Sequence, residues 1–209
     1  RPARRPPPVG PRGAPVSPAN TRVVAAATHQ GRVAELGAEI AADYAGREPL
    51  LLGVLKGAVP FTADLSRHLP PGIDIDFLGL TRFGDRGRVG IAVDSGTSLA
   101  GRDVIVVEDI VDTGLTLSYL LGLLETREPA SLETVALVDK VQRRIVDVPL
   151  RYRGFEVGDE FLVGYGLDWE GRFRNTNELW AVLDLAAMRD DPLGVAAGVF
   201  EDAGDRLLP

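Results

Sequence analysis

Apolar positions in this chain alternate between helical spacing and unbroken β-branched runs. Val33, Leu36, Ile40 and Tyr44 recur at helical spacing between Gln30 and Tyr44, and Gly46 and Pro49 then break the pattern, which predicts an amphipathic helix. Leu50 to Leu55 follows as a continuous apolar run, the pattern of a strand covered on both faces. Lys56-Gly57 reads as a turn, Ala58 to Leu69 as a helix stopped by Pro70-Pro71-Gly72, and Ile73 to Leu80 as a further strand. A Gly- and Arg-rich loop spans Thr81 to Gly90. Val104 to Val107 is again an unbroken apolar run; it gives way to an acidic loop carrying Glu108, Asp109 and Asp112, and then to a Thr113-Gly114 turn that opens a helix. Thr134 to Val138 reads as a strand ending in Asp139-Lys140, and Phe161 to Tyr165 and Leu179 to Leu183 as two short ones. This alternation predicts an α/β fold with a mostly parallel central sheet flanked by helices. Ligands of such sheets bind beyond the carboxyl ends of the strands.

Composition narrows the picture. With 209 residues, 45% hydrophobic and 25% charged, the chain suffices for one sizeable domain. Residues 1–22 hold five Arg and seven of the fifteen Pro but no acid and no apolar period, so a disordered tail is expected there, with a single domain over 23–209. That tail carries +5 of a formal −7, leaving about −12 on the remainder, which is the opposite of a nucleic-acid-binding face. No run of about eighteen apolar residues and no leader pattern is visible, so no membrane partner and a cytoplasmic location are expected. The absence of Cys excludes disulfides, thiolate metal sites and a cysteine nucleophile.

Three strand ends present polar residues in the same way: Lys56-Gly57, Glu108 to Thr116, and Asp139-Lys140. They are expected to converge on one cleft. Thr113, Gly114 and Thr116 sit at a helix N-terminus, where free N–H groups and the dipole favour a phosphate. Glu108 and Asp109 suit a ribose diol or a Mg²⁺ ion. The chain has 23 Lys and Arg, of which only Lys56 and Lys140 are Lys, and both stand at strand ends, where a compact ammonium differs from a guanidinium fork.

The segment VIVVEDIVDTGLT resembles the phosphoribosyl-pyrophosphate (PRPP) motif of the type I phosphoribosyltransferases, and the resemblance to their hypoxanthine-guanine branch extends over roughly Gln30 to Leu185. LLGVLKGAVPF resembles the branch's pyrophosphate loop, VALVDK the segment whose Lys reads a purine 6-oxo group, and FLVGYGLDW the stretch whose aromatic ring stacks on the base. The resemblance implies the family fold, with a small hood built from the terminal segments. It implies that PRPP and its phosphates lie along Glu108, Asp109, Thr113, Gly114, Leu115 and Thr116, with Lys56, Gly57 and Arg174 toward pyrophosphate and the Lys-Gly peptide able to adopt the cis form. Asp112 would meet purine N7 as the catalytic group. Lys140, Phe161, Leu162 and Asp168 would bind the base, and Mg²⁺ would fall to Glu108, Asp109 and Asp168. The lid is implied at Arg82-Phe83, in a loop shorter than the family's and without its usual Ser-Tyr pair. The expected activity is transfer of the phosphoribosyl group from PRPP to hypoxanthine or guanine in purine salvage, by a homodimer or homotetramer. The alternatives are a xanthine-preferring transferase and a regulator that binds PRPP or nucleotide with little turnover, for which the altered lid speaks.

Overall fold

The structure is a computed structural model that describes residues 20–83 and 88–195. Its main sheet has six strands in the order β4-β3-β2-β5-β6-β7: β2 (Leu50–Leu55), β3 (Ile75–Phe83), β4 (Arg88–Val93), β5 (Asp103–Val111), β6 (Ser131–Asp139) and β7 (Tyr152–Glu156). All pairs are parallel except β3 with β4.

The unbroken apolar runs are explained by helices on both faces. Leu51, Ile105, Val107, Val135 and Leu137 pack against Val33, Leu36 and Ile40 of α1 (Ala26–Asp43) and Phe61 and Leu65 of α2 (Val59–Ser66). The alternate residues Leu50, Leu52, Val54, Val104, Val106 and Ala136 meet Leu117, Leu120, Leu121 and Leu124 of α3 (Leu115–Glu125). Each such side chain contributes about 1.5–3 kcal/mol of burial free energy, so the two layers fix the sheet and with it the strand ends.

A second, antiparallel sheet of three strands, β1 (Asn20–Val24), β9 (Leu179–Val182) and β8 (Phe161–Val163), forms the hood. Val163, Trp180, Val182, Met188 and Val195 give it a small core of its own. Asp184 caps the short α4 (Leu185–Asp190) by accepting from the Ala187 N–H at 2.8 Å. No helix among the described residues is long and apolar enough to cross a membrane.

Several sequence expectations shift. β1 begins at Asn20, inside the tail expected over 1–22, because its backbone pairs with β9 over Asn20↔Val182 to Val24↔Leu179; residues 1–19 lie outside the described residues. Glu108 and Asp109 belong to β5 rather than to a loop, since the ladder with β6 continues through Glu108↔Ala136 and Val111↔Asp139 and outweighs the local acidity. The expected loop Thr81 to Gly90 is largely hairpin: Thr81 pairs with Gly90 and Phe83 with Arg88, and 84–87 lie outside the described residues. Arg82 and Phe83, named for the lid, therefore end strand β3. β7 carries no continuous apolar run, with Arg153 exposed and Glu156 at its end, and was not anticipated.

Candidate active site

At the carboxyl end of the sheet a cleft of about 380 Å³ is lined by Glu108, Asp109, Asp112, Thr113, Gly114 and Thr116 among others. β5 delivers the acids and α3 closes the segment. Gly114 is the helix N-cap at φ 83°, and a Cβ there would collide with the Val146 carbonyl, so both the conformation and the close approach require glycine. The Thr113 carbonyl accepts from Ile145 N–H at 2.9 Å and Val146 N–H at 3.1 Å, which staples the turn to the connection after β6. The N-cap Gly114 has no side chain to cap the helix, so the first-turn N–H groups beyond Leu115 face an anion site beside the Thr113 and Thr116 hydroxyls. Leu115 is half exposed there, and its N–H lies 3.4 Å from Thr113 Oγ1.

Glu108 is buried, and burial followed by the neighbouring Asp109 charge holds its carboxyl well above the usual range. Burial likewise pushes Asp109 up to about 6, against an Ile110 N–H bond of 2.7 Å and the attraction of Arg174. Burial thus penalises the charged form of both adjacent carboxyl groups.

Lys56 is exposed at the end of β2, and a cis peptide precedes it, between Leu55 and Lys56. The expectation of a cis Lys56-Gly57 bond is thus corrected by one residue; with no Pro in the turn, residue types do not distinguish the two bonds. Gly57 lies against the Asp109 carboxylate, which would overlap any Cβ at that position. Gly166, at φ 103°, lies in turn against the Gly57 carbonyl, so the turn after β2, the acids of β5 and the hood loop stack backbone on side chain. Tyr165 donates to Asp64 Oδ2 of α2 at 2.7 Å and stacks on the buried His29, which makes it a packing residue of this junction. Arg174 donates to the Gly166 carbonyl and pairs with Asp168 Oδ1, both at 2.6 Å. Asp168 Oδ2 also accepts from Gly171 N–H. Asp168 is therefore near Asp109 but engaged elsewhere, and no group of three metal-ligating side chains forms among the described residues.

At the end of the neighbouring strand β6, Lys140 is almost fully buried and donates from Nζ to the Glu160 carbonyl at 2.6 Å; burial pulls its ammonium down. Phe161 follows at once, edge-on to Trp169 with centroids 5.2 Å apart, whereas the Leu162 side chain turns into the core. Asp112 Oδ1 is 2.6 Å from Arg143 Nε, and Arg143 also pairs with Asp159. Behind these, the buried Asp139 pairs with Arg144 and, at 2.6 Å, with Arg153.

A family model described as the phosphoribosyl transferase domain matches residues 25–170. The hypoxanthine-guanine phosphoribosyltransferase of Bacillus subtilis is 46% identical over 150 residues, covering 70% of this chain and 83% of that protein. The chain belongs to the hypoxanthine-guanine phosphoribosyltransferase family. The bifunctional protein TilS/HprT of Listeria monocytogenes is 45% identical over 150 residues, although this chain spans only 23% of that longer protein. The crystal structure of a hypoxanthine-guanine phosphoribosyltransferase from Bacillus anthracis superposes with a TM-score of 0.75 at 37% identity, covering 78% of this chain and 98% of that one.

In this phosphoribosyltransferase the three expected strand ends are neighbours, with Gly57 against Asp109 and the Lys140 N–H on the Val111 carbonyl at 2.9 Å, while the cleft itself is lined by the β5–α3 segment with Val54, Leu55 and Leu80; the acids Asp64 and Asp159 carry no sequence signal. Asp64 sits within α2, where a lone acid in a helical stretch does not stand out, and it is half-buried beneath Tyr165. Asp159 lies in the Val157-Gly158-Asp159-Glu160 turn, and only the proximity of Lys140 and Arg143 gives it a role.

Proposed function

We infer that this chain transfers the 5-phosphoribosyl group of PRPP to N9 of hypoxanthine or guanine, releasing pyrophosphate and giving IMP or GMP. The observation that carries the reading is the coincidence, within one cleft wall, of two carboxyl groups whose charge burial penalises, a helix N-terminus capped only by glycine, and Asp112 held by Arg143, in a chain of this family.

The first turn of α3, with Thr113 and Thr116, would hold the 5′-phosphate by N–H and hydroxyl donors. Glu108 and Asp109 would face the ribose hydroxyls and Mg²⁺. Their raised protonation is the mark of carboxylates that gain by meeting a cation, and hard oxygen donors suit this ion. Asp168, near enough to Asp109 to act on its charge, stands close by. Bound Mg²⁺ would supply charge neutralisation on the departing pyrophosphate.

The chain's own residues carry the remaining work. Lys56 and the N–H groups beside it, with Arg174, offer positive charge to pyrophosphate. Phe161 offers a ring face to the base, and backbone at Leu162 a polar edge. The Lys140 ammonium donates to a 6-oxo oxygen; a 6-amino group offers no acceptor there, so adenine is disfavoured. Asp112 accepts the proton from N7 as N9 attacks the anomeric carbon, and the nearby carboxylates stabilise the cationic ribosyl centre by their charge. No covalent enzyme intermediate is required. The single domain beginning near β1, a homodimer or homotetramer, and a cytoplasmic location complete the proposal. It is tested by measuring nucleotide and pyrophosphate formation with each base in the wild type and Lys140→Met. The variant should lose 6-oxopurine turnover while still binding PRPP; equal turnover would remove Lys140 from the base site.

A further inference from the structure

We propose that Arg143 is a positioning residue for the base half of this reaction, joining Asp112 to the Asp159 turn so that the proton acceptor and the base-stacking strand keep one register. The proposal rests on the transferase reading above. Arg143 closes a 3-10 turn, Val141–Arg143, whose end is held by the Arg143 N–H bond to the Lys140 carbonyl at 2.9 Å. Its Nε lies 2.6 Å from Asp112 Oδ1, and its Nη1 pairs with Asp159 Oδ1. Lys140, at the other end of the same turn, donates to the carbonyl of Glu160 at 2.6 Å. One short turn thus grips two consecutive residues, Asp159 by its side chain and Glu160 by its backbone, immediately ahead of Phe161.

The consequence follows from geometry. Asp112 directly follows β5 of the main sheet, whereas Phe161 stands on β8 of the hood, in a different sheet. Nothing in the β5–β6 ladder fixes the distance between them. The Arg143 fork does, because a guanidinium presents donors in fixed directions to two carboxylates at once, whereas an ammonium on a flexible stem does not. The bond to Oδ1 also orients the Asp112 carboxylate and leaves its other oxygen for the purine. Arg143 and Asp112 are each 42% exposed and Asp159 70%, so the bridge adds little to fold stability. Its effect falls on alignment at the reacting centre, where small displacements cost large factors in rate.

The test is steady-state kinetics of Arg143→Ala, Arg143→Lys and Asp159→Asn beside the wild type, with KM for the base and for PRPP measured separately and melting temperatures recorded. Arg143→Ala is expected to lower kcat/KM for hypoxanthine by roughly ten-fold or more, with KM for PRPP unchanged and the melting temperature within about 4 °C. Asp159→Asn should move the same base parameters in the same direction although it leaves Asp112 untouched. Arg143→Lys should stay near Arg143→Ala; full rescue by Lys would show that charge suffices and would overturn the bridging role. A wild type that turns over, with both Arg143→Ala and Asp159→Asn within two-fold of it, overturns this proposal alone. A wild type without turnover overturns the transferase reading and this proposal with it.

Discussion

Asp109→Asn should stabilise the ligand-free protein while crippling it. The substitution keeps the side chain's shape and its Oδ1 acceptor for the Ile110 N–H, but removes a charge that sits beside Glu108. Burial, the largest cause, raises Asp109 from 3.8 to about 6. A shift of roughly two units corresponds to about 3 kcal/mol of penalty on the ionised form. Asp109 keeps some accessible surface, and solvent screening reduces the usable figure to roughly 1.5 kcal/mol. For a chain of this length that is a gain of about 3–6 °C in melting temperature. Because the folded-state value is raised, the wild type is penalised in full only above about pH 6 and not at all once both states are protonated. The advantage of Asn is therefore complete at pH 8, shrinks below pH 6 and is nearly gone at pH 4. Differential scanning fluorimetry across that range, with and without Mg²⁺ plus PRPP, measures both halves. Saturating ligand at a hundred times Kd should add about 2.7 kcal/mol to the wild type and much less to the variant. A variant that melts below the wild type at pH 8, or whose advantage is the same at pH 4 and pH 8, would refute the reasoning.

Other expectations follow from the same geometry. Asp112→Asn should leave the fold and PRPP affinity intact and lower kcat by roughly 10²-fold or more, read by nucleotide formation; normal turnover would sink the assigned role. Gly166→Ala must place a Cβ against the Gly57 carbonyl at a positive φ, so it should cost well over 1 kcal/mol in chemical denaturation and raise KM for PRPP. Asp139→Asn leaves the largely buried Arg144 without its charge partner and should destabilise by roughly 3 kcal/mol, seen as a lowered urea midpoint. Asp76 is held down to about 2, chiefly by the Ser95 hydroxyl at 2.6 Å, with the Phe77 and Thr97 N–H groups. Its contribution is present above about pH 4 and lost as pH falls toward 2, so Asp76→Asn should flatten the acid limb of the stability curve.

Sequence exposed most of the fold because the buried strands are unusually legible. Leu50 to Leu55 matches β2 residue for residue, since both faces are covered and nothing polar interrupts it. β4 and β7 were invisible for the opposite reason: they are sheet edges, half solvated, and their pairing comes from the neighbouring strand rather than from their own composition. The extension of β5 through Glu108 and Asp109 is likewise a property of the ladder with β6. At the site, the residues with a sequence signal are those at strand ends or in a Thr-Gly turn. What remained hidden is what depends on contact between distant segments: the Gly57–Gly166 approach, the Tyr165–Asp64 tie and the Arg143 bridge. The Leu55–Lys56 cis bond belongs to the same group, having no Pro to announce it.

The central claim is tested most directly by pyrophosphate release from PRPP and Mg²⁺ with hypoxanthine, guanine, xanthine and adenine supplied separately. Turnover with hypoxanthine or guanine and none with adenine is the predicted result. PRPP binding without turnover on any 6-oxopurine would contradict the account and point to a regulator built on the same fold.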